Sequence, residues 1–274
     1  MTGKVYLVGS GPGDPELLTR KAWRVLQCVQ VVLHDDLVSR EILSVLPPGV
    51  QVVNVGKRCG AKGISQSEIN QLMVQLAREG KDIARLKSGD PLLFGRGGEE
   101  MQALRAANIE FEVVPGVTAA LGAAASARIS LTDRRHASRV VFVTAHREGG
   151  TGLRNERHVA EDTTYVIYMP GHRYAELAAE LQAAGIGGDV PCAVISHATT
   201  SEETIFRASV ERLAECPAAA SPSLLVVGAV VGLTANEQDA GAFGGEFSQK
   251  LNEEVLQLAL QHPNYDRDRR GSVE

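Results

Sequence analysis

Short apolar runs that end in Gly, Pro or Asp and pass into helical spacing recur along this sequence, and that alternation limits the fold more than any other feature. Val5-Tyr6-Leu7-Val8 runs into Gly9-Ser10-Gly11-Pro12-Gly13-Asp14-Pro15. There Asp14 is a good N-cap and Pro15 a good first helical residue, and Leu17 to Val29 follows with helical spacing. Gln30 to Leu33 reads as a second strand ending in His34-Asp35-Asp36, with Asp36 as the cap for a helix from Ser39. Val50 to Val55 is a third strand, and Ser65 with Glu68 forms a capping box for a helix to Arg78. Ile83 to Leu86 is a fourth strand, Glu99 to Ala107 a helix and Phe111 to Val114 a fifth strand. Strands alternating with helices predict an α/β fold with a mainly parallel or mixed sheet.

After Pro115-Gly116-Val117-Thr118 the pattern starts again. Ala119 to Ala127 is a helix of small residues, and Val140 to Thr144, Thr164 to Met169, Pro191 to Ser196 and Ser223 to Val231 read as strands. Tyr174 to Ala184 reads as a helix and Glu203 to Arg207 as the edge strand of a hairpin, while Arg147 to Asp162 reads as a mobile loop. The expected domains are residues 1–114 and 115–235, both α/β, with 236–274 an extension that is partly helical or disordered.

The richest stretch is Arg85 to Glu100. Ser88-Gly89-Asp90-Pro91 and Gly95-Arg96-Gly97-Gly98 flank Leu92-Leu93-Phe94, so bare backbone borders an apolar shelf on both sides. The first glycine loop does not make a dinucleotide fingerprint. The third glycine is required at position 14, which is Asp, and Pro12 removes an N–H that a phosphate would use. Between Arg128 and Arg147 lie Arg134, Arg135 and Arg139 with one acid, Asp133, a basic cluster suited to an anion. The four cysteines are scattered and the seven histidines make no ligand-spaced pair, so no metal site is expected. The net charge of −5 disfavours non-specific nucleic-acid binding, and no apolar run reaches membrane-spanning length. A cytoplasmic location is expected.

At these residues the protein resembles the tetrapyrrole (class III) methyltransferases, most closely the branch that acts on uroporphyrinogen III. The resemblance is carried by Val8 to Pro15 with Leu17-Leu18-Thr19, by Asp35 ahead of Leu37-Val38-Ser39, by Gly56-Lys57-Arg58, by Arg85 to Glu100 and by Pro115 to Ala120. Leu131-Thr132 with Arg134, Val141 to His146, Tyr168-Met169, Ala198-Thr199-Thr200 and Ser221-Pro222-Ser223 continue it in the family's order. Ser88 stands where the family usually has Gly, and Asp36 where it often has Arg. The resemblance implies two α/β domains with a cleft between them and a homodimer. The absence of a fused dehydrogenase-chelatase domain implies a monofunctional enzyme.

The implied activity is methyl transfer from S-adenosylmethionine to C2 and C7 of uroporphyrinogen III. It gives precorrin-2 by way of precorrin-1 and releases two S-adenosylhomocysteines, for sirohaem, cobalamin or haem d1 synthesis. Such a displacement needs positioning more than a protein nucleophile, and positioning contributes ~7–11 kcal/mol. The resemblance places the donor against Pro12, Ser88, Gly89, Asp90, Leu93, Thr118, Ala119, Met169 and Ala198. Thr118 also reads as a helix cap and Met169 as core. An acceptor with eight carboxylates needs forked cations. Lys57, Arg58, Arg96 and Arg134 are the candidates, with Arg135, Arg139 and Arg147 behind them and Glu99 fixing the direction of Arg96. The resemblance makes Asp35 the proton acceptor and Lys57 the donor, with Glu99 the alternative base and His34 structural. Competing readings are another methylase of the superfamily, a non-catalytic tetrapyrrole carrier and, more remotely, a dinucleotide oxidoreductase.

Overall fold

Five of the apolar runs become one parallel sheet. In the computed structural model, which describes residues 2–56, 64–145 and 162–234, they are β1 (Val5–Gly9), β2 (Val31–His34), β3 (Gln51–Asn54), β4 (Ile83–Lys87) and β5 (Phe111–Val114). Their order is β3-β2-β4-β1-β5, and every adjacent pair runs parallel. Parallel neighbours need long crossovers. These carry α1 (Arg20–Leu26), α2 (Arg40–Ser44), α3 (Gln66–Arg78) and α4 (Gly97–Ala106), and α5 (Ala119–Ser126) follows β5.

The period of two along each strand divides the core. Val5, Leu7 and Ile83 pack with Ile69, Met73 and Leu76 of α3 and Leu104 of α4. Val8, Ala84 and Leu86 face the other way, onto Ala22 and Leu26 of α1 and Ile42 of α2. Arg85 and Lys87 therefore share the α3/α4 side with Ile83. The connection from β1 runs past β4 to β2, toward one edge of the sheet, and that from β4 runs past β1 to β5 at the other edge. Their carboxyl ends thus form a switch point, where open α/β sheets bind ligands.

A second sheet has the order β6-β7-β10-β8-β9. Its strands are β6 (Arg139–Thr144), β7 (Thr163–Tyr168), β8 (Pro191–Ser196), β9 (Thr204–Ser209) and β10 (Ser223–Val227). β6 and β7 are parallel, and β9 sits at an edge as its sequence predicts. A helix, α6 (Tyr174–Ala183), packs Tyr174, Leu177 and Leu181 onto Ile167, Val194 and Val227. By contacts the protein divides into two units, with residues 195–204 and 220–224 belonging to the first together with residues 1–127.

Three local expectations are corrected. The helix predicted from Leu17 to Val29 is a short 3-10 turn, Pro15–Leu17, followed by α1. Asp14 caps the turn through Glu16 N (2.9 Å), and Thr19 caps α1 through Ala22 N (3.1 Å). Asp36 does not cap α2. Ser39 does, accepting Ile42 N at 3.2 Å, while Asp36 Oδ1 accepts Asn54 Nδ2 at 2.9 Å. The last strand stops at Val227, and Ala229–Thr234 is a 3-10 helix. The capping box at Ser65 and Glu68 forms as expected.

Candidate active site

The loops that leave β1 and β4 pair with one another. Gly11 N donates to Gly89 O at 3.2 Å, and Gly89 N returns the bond to Gly11 O at 2.8 Å. Both glycines have left-handed φ, +75° and +66°. A Cβ on Gly116 would lie 2.3 Å from Gly89 O, so three segments meet there backbone to backbone. Asp90 pins them, with Oδ1 accepting Leu92 N at 2.8 Å and Oδ2 accepting Gly116 N at 3.1 Å. Both oxygens of Asp90 thus serve the loop as well as any ligand beside it.

Around this pairing the first unit gathers most of the predicted donor-site residues. Gly89 faces Thr118 and Ala119, and Gly122 of α5 abuts Pro12. Thr118 is at the N-cap of α5 but makes no capping bond with its side chain. Leu93 N bonds to Asp90 O at 3.3 Å, which keeps it in the same loop as Ser88 and Gly89. Ala198 arrives from the second half of the sequence. Its carbonyl lies 3.4 Å from where a Gly13 Cβ would stand, and Thr199 Oγ1 accepts Asp14 N at 3.2 Å. A cradle of bare peptide and small residues fits a bulky, amphipathic cation that carbonyl oxygens can hold. Met169 is not core. It follows β7 in the second unit, with φ +53° and 46% exposure.

A second feature lies beside Asp35. A cavity of about 220 Å³ is lined by Asp35, Gln66, Arg85, Lys87, Phe94 and Arg96 among others. Beneath it Arg85, Lys87 and Glu100 are 1%, 3% and 0% exposed. Glu100 Oε1 accepts Arg85 Nε at 2.8 Å, Lys87 Nζ at 3.1 Å and Gln66 Nε2 at 3.2 Å. Arg85 Nη2 donates to Asp35 Oδ1, and Lys87 Nζ stands 3.5 Å from Asp35 Oδ2. Arg85 Nη1 is taken by the carbonyls of Leu33 and Leu86. Burial disfavours the Arg85 charge, but Asp35 and Glu100 outweigh it and hold the guanidinium above its ordinary pKa. A larger groove of about 700 Å³ along α3, lined by Asn70, Gln71 and Arg78, contains none of the predicted site residues.

Arg96 enters α4 in the left-handed region, with φ +57°. Its Nε and Nη2 grip the two oxygens of Glu99, each at 2.7 Å. The bond from Arg96 pulls the Glu99 carboxyl below its ordinary value, and the bond to Glu99 raises Arg96. His34 is buried, its Nδ1 donating to the Asp35 carbonyl at 2.9 Å. In the second unit Arg134 is exposed, whereas Arg135 pairs with Asp133 and Arg139 with Asp162. The backbone N–H of Arg135, then His136 and the Arg135 side chain, hold the Asp133 carboxyl far below the carboxylate range. Lys57, Arg58 and Arg147 lie outside the described residues, as do the expected loop up to residue 161 and residues 235–274.

Sequence reasoning assigned no role to Arg85, Lys87, Glu100 or Gln66. The available signal was two cations at a spacing of two inside an apolar strand, which places both on one buried face and demands a partner. Among the described residues, no group of three His, Cys, Asp or Glu side chains is placed to hold a metal ion, and no helix is long and apolar enough to cross a membrane.

Bare peptide at a switch point and a buried charge network opening on a cavity are features of α/β enzymes that take small-molecule ligands at the ends of parallel strands. Residues 4–214 match the profile of the tetrapyrrole (corrin/porphyrin) methylases, and the protein belongs to that family. It is 45% identical over 249 residues to a siroheme synthase of Actinobacillus pleuropneumoniae, covering 90% of this sequence and 51% of the relative. A siroheme synthase of Pseudomonas aeruginosa is 45% identical over 236 residues, again with 51% of its length covered. The sequence thus spans about half the length of the curated relatives it matches. A uroporphyrin-III C-methyltransferase from Thermus thermophilus superposes with a TM-score of 0.74 at 40% identity, covering 84% of this protein and 99% of that one. The Thermus thermophilus enzyme complexed with S-adenosyl homocysteine gives 0.74 at 38%, covering 86% and 96%.

Proposed function

We propose that this protein transfers methyl groups from S-adenosylmethionine to C2 and C7 of uroporphyrinogen III, forming precorrin-2 through precorrin-1 and releasing two S-adenosylhomocysteines. The product enters the synthesis of sirohaem, cobalamin or haem d1, and the enzyme works as a cytoplasmic homodimer. The observation that carries the reading is the Asp35 carboxylate, 30% exposed at a cavity and backed by two buried cations. It belongs to a protein that is 40% identical to a uroporphyrin-III C-methyltransferase.

In this reading Pro12, Ser88, Gly89, Asp90, Leu93, Thr118, Ala119, Met169 and Ala198 hold the donor. The sulfonium supplies an electrophilic methyl group when bound. Backbone carbonyls and small residues orient it, and Asp90 keeps the β1, β4 and β5 loops at fixed spacing. Lys57, Arg58, Arg96 and Arg134 grip acceptor carboxylates. Methylation leaves a cationic macrocycle that must lose a proton from a bridging carbon. Asp35 accepts that proton, and Lys57 is the donor to the macrocycle. Glu99 is the alternative base, and the two-fold bond from Arg96 holds its carboxyl below the ordinary value.

The test is incubation of purified protein with S-adenosylmethionine and uroporphyrinogen III. A mass gain of two methyl groups and the absorbance of precorrin-2 are expected. Absence of S-adenosylhomocysteine would point to a non-catalytic tetrapyrrole binder, and methylation of a later corrin intermediate alone to another branch of the family. Arg96→Ala and Arg134→Ala should lose turnover yet bind S-adenosylhomocysteine in calorimetry. Loss of that binding refutes the roles assigned to them.

A further inference from the structure

The charges around Asp35 form a closed ring. Each oxygen of Asp35 faces a different cation, Oδ1 that of Arg85 and Oδ2 that of Lys87. Both cations are held from behind by one oxygen of Glu100, Oε1. Glu100 Oε2 is buried and has no hydrogen-bond partner among the described residues. Leaving a buried carboxylate oxygen bare is costly. Replacing a buried ion cluster by well-packed apolar side chains is often neutral or stabilising. Arg85 is engaged mainly within the protein: it bonds Glu100, Asp35 and two carbonyls, and its side chain is 1% exposed. Packing gives such a ring no reason to exist, whereas aiming the Asp35 carboxyl into the cavity does.

We propose that Glu100 is a positioning residue. Through Lys87 and Arg85 it sets both the orientation and the proton affinity of Asp35. This deepens the function proposed above and rests on its reading of Asp35 as proton acceptor. Glu100 is 0% exposed and so acts through its partners Arg85 and Lys87. Its negative charge lies behind the two cations that face Asp35, so it opposes their pull on the carboxylate. Among the described residues, the charged or titratable groups around Asp35 include Arg85 and Lys87 from β4, Glu100 from α4, Arg96 at the cavity wall with its partner Glu99, and His34 and Asp36 beside it in sequence.

The experiment reads Asp35 directly. Full-length protein labelled with carboxyl-¹³C aspartate is titrated by NMR, with the Asp35 signal assigned by its loss in Asp35→Asn. In Glu100→Gln one negative charge disappears, and the Asp35 midpoint should move to lower pH by about one unit, the size a single nearby charge produces. In Lys87→Met a positive charge disappears, and the midpoint should rise. The same Glu100→Gln protein should lose about tenfold in kcat, as a weaker base would, while calorimetric binding of S-adenosylhomocysteine stays at the wild-type value. A midpoint unmoved in Glu100→Gln overturns the proposal. If that variant does not fold, Lys87→Met decides, and a midpoint that fails to rise overturns it. Should the wild-type protein methylate nothing, the proposed function falls, while the titrations still report whether the ring tunes Asp35.

Discussion

Glu99 stands between two roles, and its geometry separates them. Arg96 binds both of its oxygens, and that bond is the first cause of its depressed pKa. A group whose folded pKa lies below its ordinary 4.5 adds stability that is present above that value and is lost as pH falls through the folded value. Here the amount is small, because both side chains are 51% exposed. Solvent screening limits such pairs to roughly 0.2–1 kcal/mol. Arg96 must leave or share this partner to grip an acceptor carboxylate. Glu99→Gln should therefore lower KM for uroporphyrinogen III by up to about fivefold, the binding equivalent of that pair, and leave kcat little changed. Steady-state kinetics checks it. A fall in kcat of about 10²–10⁴ would instead make Glu99 the base.

At the scale of elements, the site is a matter of how closely loops approach. A Cβ on Gly116 would stand 2.3 Å from Gly89 O and 2.9 Å from the Gly9 backbone, atoms that cannot swing aside. Gly98, in the first turn of α4, has open space around the same position. Gly116→Ala should destabilise by about 1–3 kcal/mol and weaken S-adenosylhomocysteine binding. Gly98→Ala should stabilise α4 by about 0.5–1 kcal/mol. Thermal melts and calorimetry on the pair check this, and equal melting temperatures would sink the close-approach argument. The sequence predicted this loop system well, because glycine, proline and apolar spacing are local signals. Phe111–Val114 and Pro191–Ser196 are strands with the bounds expected, and the capping box at Ser65 is in place. Competition among neighbours was not legible. Asp36 and Ser39 are both good caps, and Asn54 engages Asp36. The ring under Asp35 was hidden for a different reason. Arg85 meets Glu100 across 15 positions and Asp35 across 50, and only the folded sheet brings them together.

For the whole molecule, the path of the backbone matters more than the number of units. Residues 1–127 contain all five strands of the parallel sheet and both apolar clusters that flank it. That part has what a core needs. The first unit nevertheless includes residues 195–204, contributed from far along the sequence. Thr199 adopts φ +68°, a conformation held in part by its N–H donating to Glu203 Oε2 at 2.7 Å. From there it presents Oγ1 to Asp14 N, and Thr200 packs against Gly13. The cradle proposed for the donor is therefore finished by a segment that a single cut after Ala127 removes. A fragment of residues 1–127 should retain α/β far-UV circular dichroism. It should bind S-adenosylhomocysteine at least about tenfold more weakly than the full-length protein, since one lost hydrogen bond together with the Ala198 wall amounts to roughly 1.4 kcal/mol or more. Calorimetry on the folded fragment decides. Affinity equal to that of the full-length protein would show that the loops of β1, β4 and β5 hold the donor unaided, and Ala198 would then leave the set of donor-binding residues.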